Sequence, residues 1–381
     1  MRIFHGIDRV PAALWDSAAG GELGFDRRLL AVAEAPGYAV PAYFVREHGG
    51  GVPTVATGLE FRDRARGNPL SDLLLGRLAR KLSVLKPALG RALVFRTRFA
   101  YRSGILPGVG SGGTSRESLH EFLEDLEGYA DDRGFTLVVM DVAGKDHQLS
   151  SVLGERGFLH TTGRPVARLQ VDWTEWQGYV RTARSRSENA ASTIRREVNR
   201  ARRSGIRIGD WDPDRTGEAQ LRALYESHHR RLNTRGLGYR QDFFSILRAA
   251  LNDRARVLVA YRDDRLVGSA FLIEGDGEAA LPLVGIDYSE DRGACTYFNL
   301  CFYTPIRMAI EQGWSLLTLG TGAYEAKIRR GCHVDAVRTF WRPQGKTGRT
   351  IGGPLTAVHR RVFTRKCDPV FRADRFSTLN S

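Results

Sequence analysis

Residues 320–333, GTGAYEAKIRRGCH, follow an apolar run and crowd Tyr324, Glu325, Lys327, Arg329 and Arg330 between turn-forming glycines. Only six of the 57 cationic residues are lysine, so a lysine in this stretch stands out. An ammonium inside a partly closed crevice can steady developing negative charge, a neighbouring carboxylate can relay a proton, and phenols can donate hydrogen bonds. The structural alternative pairs Lys327 with Glu325. Cys332 and His333 are sequence neighbours, which rarely face one another, so thiol catalysis is not expected. The four cysteines, Cys295, Cys301, Cys332 and Cys367, form no CxxC pair and have no zinc-ligand spacing, so no metal and no disulfide is expected.

Two further groups carry less. His228 and His229 lie on an expected helix, LYESHHRRL, where an exposed or hydrogen-bonded pair is the simpler reading than a general base. The RGLGYR stretch (235–240) is outside a strand-to-helix junction and fits no dinucleotide fingerprint.

The elements that must position these residues occur twice. Residues 129–141, YADDRGFTLVVMD, align without gaps on 308–320, MAIEQGWSLLTLG: a helix end, a capping glycine (Gly134 or Gly313), an aromatic, then an apolar strand. Upstream, FDRRLLAVAE and FFSILRAALN are amphipathic helices followed by antiparallel hairpins, YAVPAYFVRE to VPTVATGLEF in the first copy and RVLVAYR, RLVGSAFLIE and EAALPLVGI in the second. The first copy continues through a short helix, DHQLSSVLGERGF, into one strand-like stretch, TTGRPVARLQVDW. The fold class expected is α/β, two tandem domains, each a mixed and largely antiparallel sheet flanked by helices. The boundaries fall at 1–175, a linker helix at 176–210, a second domain at 211–345 holding the site, and an extension at 346–381.

A formal net charge of +14 creates a field that attracts polyanions, although arginine richness can also follow base composition. The charge concentrates between the copies, where nothing breaks a helix from Glu188 to Ser204 and Arg196, Arg200 and Arg203 share a face beside Arg195 and Arg202. Only Ile194 and Val198 there are large and apolar, so the helix reads as a solvated face or, more sharply, as a phosphate track. The C-terminal stretch with Arg360, Arg361, Arg365 and Lys366 reads as a mobile, solubilising extension. No window approaches the ~18 apolar residues of a membrane span and the N-terminus has no signal-type apolar region, so a cytoplasmic protein without membrane insertion is expected.

The order of elements resembles the GNAT (Gcn5-related N-acetyltransferase) fold, and two tandem copies resemble the FemABX group. Tyr297, Phe298, Asn299, Cys301, Phe302 and Tyr303, a helix, then Glu325, Lys327, Arg330 and Gly331 resemble the signature of the FemAB-like family of peptidoglycan biosynthesis or recognition. Tyr297 and Asn299 replace that family's His and Glu, and Ala326 replaces its His before the lysine. The resemblance implies aminoacyl transfer from an aminoacyl-tRNA to an amine, borne by a cell-wall peptide or a small metabolite, with no cofactor. It implies Lys327, Glu325 and Tyr324 as catalytic residues, and Tyr297, Asn299, Tyr303, Arg329 and Arg330 as substrate-binding. On the phosphate-track reading of the linker helix, Arg195, Arg196, Arg200 and Arg203 are the RNA phosphate contacts. A GNAT enzyme using CoA carries a Q/R-x-x-G-x-G/A loop before its helix, and Gly293 is the sole glycine of that pattern here, which favours RNA as donor. The alternatives are an acyl-CoA or acyl-carrier-protein donor, and a non-catalytic RNA- or envelope-binding protein.

Overall fold

A computed structural model describes all residues except 35–38, 64–67, 76–90, 110–113, 187, 232–241, 252–253, 292 and 380–381. The RGLGYR stretch lies outside the described residues. The chain forms two compact units, each with a mixed sheet flanked by helices: residues 1–165 with 335–369, and residues 166–334 with 370–381. Among the described residues, no helix is long and apolar enough to cross a membrane.

The first unit's sheet runs β1 (Arg2–Phe4), β2 (Val40–Arg46), β3 (Thr54–Phe61), β4 (Arg91–Phe95), β6 (Phe135–Ala143), β15 (Val337–Arg342) and β7 (Leu159–Thr162), with β5 (Ile105–Leu106) pairing β3. Its long helix, Ser115–Arg133, begins in a capping box between Thr114 and Glu117 and ends at Gly134, whose φ of 63° only glycine adopts without strain. Leu119, Phe122, Leu126 and Ala130 on that helix pack with Phe44, Phe95 and Leu137 of the sheet.

The second unit's sheet runs β14 (His333–Asp335), β8 (Val166–Gln170), β13 (Leu316–Gly320), β12 (Glu278–Ile286), β11 (Arg265–Gly275), β10 (Ala255–Arg262) and β9 (Arg207–Asp210). The equivalent helix, Thr304–Gln312, ends at Gly313 with φ 71°, so the repeat seen in the sequence is a structural repeat. The arrangement of caps and strand starts follows from the aligned residues alone.

Four expectations are corrected. The stretch expected as one strand at 161–173 is two strands in two different sheets, because Val166, Ala167 and Leu169 are buried beside β13 while Leu159 to Thr162 pair β15. The stretch ending the expected second domain, β15, belongs to the first sheet, where Val337, Phe340 and Trp341 are buried. Residues 176–210 are not a linker: helices Trp176–Arg186 and Glu188–Arg203 bury Tyr179, Val180, Ala183, Ala191 and Ile194 in the second unit's core. Small alanines let the backbone approach, a signal weaker than large apolar residues. The expected mobile extension is a helix, Gly345–Leu379, packed in the first unit through Thr356, whose hydroxyl receives the Trp341 Nε1 proton at 3.1 Å, and His359, bonded to Thr161 at 2.8 Å.

Candidate active site at the parting of two parallel strands

In the second unit the parallel strands β12 and β13 pair at Glu278–Leu316, Ala279–Leu317 and Ala280–Thr318, and β12 then continues to Ile286 without that partner. Parallel strands that part in this way leave a wedge at their carboxyl ends, where open α/β sheets take ligands. A bulge against β8 between Thr318 and Gly320 leaves Leu319 out of the ladder. The chain turns through Gly320 (φ 69°), Gly322 (φ 80°) and Ala323 (φ 48°) into the short helix Tyr324–Ile328.

Lys327, 3% exposed, satisfies that irregular end. Its Nζ donates to the carbonyls of Leu319 at 2.6 Å, Gly320 at 3.1 Å and Thr321 at 3.4 Å. Three acceptors take all three ammonium protons, the Thr321 contact being the longest. Burial pushes its pKa down to about 8, while the buried thiols Cys332 and Cys301 act the other way. The alternative Lys327–Glu325 pair does not form: Glu325 is exposed and pairs Arg329 one helical turn on, and Tyr324 is half-buried against the core. Both Glu325 and Arg329 stand on the rim.

Arg330 is buried and centres a second network. Its Nη2 donates to both Glu197 oxygens at 2.8 and 2.6 Å, its Nε to the Tyr303 hydroxyl at 3.1 Å and its Nη1 to the Ala326 carbonyl at 2.8 Å. The guanidinium lies 3.5 Å from the Phe298 ring centroid. The Tyr303 hydroxyl donates to Glu197, and Asn299 Nδ2 donates to the Glu197 carbonyl at 3.2 Å and the Cys295 carbonyl at 3.0 Å. Burial and the Glu197 carboxylate hold the Tyr303 phenol well above its usual pKa, opposed by Arg330. Tyr297, largely buried against Phe298 and Phe302, is raised by the same desolvation. Sequence reading missed Glu197. Its signal was a carboxylate three residues after Ile194 and four before Ala201, on the inner face of an arginine-rich helix.

That network fixes the basic helix Glu188–Arg203 beside the strand ends. Arg195, Arg196, Arg200 and Arg203 are exposed, and none forms an ion pair among the described residues. Arg196 reaches the Thr193 hydroxyl at 3.4 Å.

Across the wedge, the turn after β12 meets the helical run from Thr296. The Thr296 N–H donates to Asp291 Oδ1 at 2.9 Å, so a carboxylate sits on the helix N-terminus. His228 is 7% exposed, stacks on Tyr288 with centroids 5.6 Å apart, and its Nδ1 has no hydrogen-bond partner among the described residues. Burial, then His229 and Arg231, push its pKa down to about 4, so it is neutral at pH 7. The expected exposed or hydrogen-bonded histidine is thus buried with an orphan nitrogen. Among the described residues, no group of three or more His, Cys, Asp or Glu is placed to hold a metal, and no disulfide joins any of the four cysteines.

A FemAB-like family model, described as peptidoglycan biosynthesis/recognition, matches residues 112–346. The chain belongs to this family, and is of the acyltransferase or aminoacyltransferase kind. It is similar in fold to the C-terminal domain of a putative lysylphosphatidylglycerol synthetase from Agrobacterium fabrum (TM-score 0.54, 13% identity, covering 90% of this chain and 96% of that one). FemX aligns with a TM-score of 0.54 at 10% identity, over 89% of this chain and 97% of its own. A conserved protein of unknown function from Bacteroides thetaiotaomicron aligns with a TM-score of 0.53 at 14% identity, over 88% and 98%. No curated protein matches the sequence.

Proposed function

We propose that the protein is an aminoacyltransferase that takes its acyl group from aminoacyl-tRNA and forms an amide on an amine acceptor, a cell-wall precursor peptide or a small metabolite. The observation carrying this reading is the row of exposed arginines, Arg195, Arg196, Arg200 and Arg203, without a carboxylate partner among the described residues, on a helix bolted to the wedge by Glu197 and Arg330. Guanidinium groups without carboxylate partners are available to phosphates. Against a CoA donor stands Asp291, whose carboxylate holds the helix N-terminus that would otherwise attract a pyrophosphate.

In this reading the acceptor nitrogen attacks the ester carbonyl, the C–N bond forms, and the C–O bond to the ribose breaks as the amine's proton passes to the leaving oxygen. Lys327 shapes the strand end through its carbonyl bonds and keeps a positive charge beside the oxyanion in a low-dielectric setting. Its longest bond, to Thr321, is the one it can exchange for the oxyanion. Tyr324 and Glu325 at the rim serve hydrogen bonding and proton relay. Tyr297 and Arg329 contact substrate, while Asn299, Tyr303 and Arg330 hold the frame.

The test supplies one labelled amino acid as charged tRNA, as CoA thioester, or free with ATP, each with an amine panel. RNase-sensitive incorporation from charged tRNA is expected. Incorporation from the thioester that survives RNase would replace tRNA with a thioester donor. In the same system, Arg196→Glu with Arg200→Glu lowers tRNA affinity and reduces the slope of log K against log salt by about 2.

A further inference from the structure

The C-terminal helix carries apolar residues on two opposite sides. Its inner side holds Gly352, Thr356, His359, Phe363 and Cys367, with the His359 and Phe363 rings stacked at 5.1 Å. Packing explains those residues. The outer side, at the same three- and four-residue spacing, presents Pro354, Ala357, Val358, Arg361, Val362 and Arg365, all exposed. Val358 is 62% and Val362 50% exposed, two of the six exposed large apolar residues among the described residues. A helix face meant for water carries polar groups in those places.

Charge points to what covers this face. Residues 345–366 contain no Asp or Glu and six cations: Lys346, Arg349, Arg360, Arg361, Arg365 and Lys366. Arg349, Arg360, Arg361 and Arg365 form no ion pair among the described residues. Arg338 on β15 stands with Arg360 close enough to His160 to help burial lower its pKa, extending the cationic zone around the helix. Two exposed valines with two guanidinium groups beside them on the same helix face match an interface of acyl chains beneath anionic headgroups. RNA would reward exposed aromatic rings for stacking, and the outward face has none.

We propose that the outer face of helix Gly345–Leu379 docks the protein on an anionic membrane surface, with Val358 and Val362 in the interface and Arg361 and Arg365 at the lipid phosphates. No segment crosses the bilayer in this arrangement; the helix lies on it. The proposal is independent of the donor and acceptor assigned above.

The experiment is co-sedimentation of the full chain with vesicles of phosphatidylglycerol and phosphatidylcholine, with pure phosphatidylcholine and with RNA alone. Binding to the anionic vesicles and not to pure phosphatidylcholine is expected. Val358→Ser with Val362→Ser weakens that binding by roughly fivefold or more, and Arg361→Gln with Arg365→Gln by roughly 30-fold. Circular dichroism of these surface variants should match the parent, since none of the four side chains is buried. The proposal is overturned by absent vesicle binding, by equal binding to both lipids, by an unchanged Val358→Ser/Val362→Ser variant, or by arginine substitutions that weaken RNA binding while leaving vesicle binding intact.

Discussion

Replacing Arg330 with methionine is expected to destabilise the second unit more than deleting the whole ion pair does. The Arg330 side chain is 6% exposed and that of Glu197 12%, so removing the guanidinium leaves a carboxylate in the interior with the Tyr303 hydroxyl as its remaining side-chain partner. Breaking a buried pair from one side costs ~3–5 kcal/mol, and loss of the cation–π contact over Phe298 adds ~1 kcal/mol. Removing both partners, as Arg330→Met with Glu197→Leu, deletes the desolvation penalty along with the attraction and is expected to cost under ~2 kcal/mol. Urea titration of the four proteins of this cycle, followed by tryptophan fluorescence, measures the coupling. Thermal melts should show Arg330→Met about 10 °C below the parent. The reasoning fails if Arg330→Met costs less than ~1 kcal/mol, or if the double substitution equals the sum of the single ones.

For Lys327→Ala, turnover is expected to drop at least about tenfold; a value within about threefold of the parent, under ~1 kcal/mol of barrier, removes its proposed role. For His228 the sign follows from its pKa of about 4 in the folded chain against ~6.5 unfolded. Between these values the unfolded chain binds more protons, so stability is intact above about pH 6.5 and is lost as pH falls toward 4. His229 and Arg231 both act on the ring in the lowering direction, and Tyr288 stacks on it. The parent should lose ~1–3 kcal/mol more than His228→Phe between pH 7 and 4.5 in urea titrations. Equal losses in both proteins would show that His228 titrates normally.

Much of the architecture is local and therefore legible in residue order. The glycines Gly134 and Gly313 end helices because a left-handed residue must follow the last turn, and the strands after them open on aromatic residues, so the duplication could be read without coordinates. The positions of Lys327, Tyr303 and Arg330 near one strand end follow from the same reading, as does the exposure of Arg196 and Arg200. Partnership was not legible. Lys327 has a carboxylate two residues away yet donates to three backbone carbonyls, because a bulge at Leu319 leaves acceptors that burial cannot tolerate unpaired. Arg330 takes Glu197, 133 residues earlier, and no local spacing encodes a contact at that separation.

The sequence by itself determined the two repeats, the helix caps and the cationic face, because each depends on residues within a few turns of one another. Only the tertiary structure decided which sheet receives Val166–Gln170 and Val337–Arg342, which carboxylate meets Arg330, and that the last helix packs one face while leaving valines on the other. Those outcomes turn on where buried area and unpaired polar groups balance across distant segments, a quantity that exists only once the chain has closed on itself.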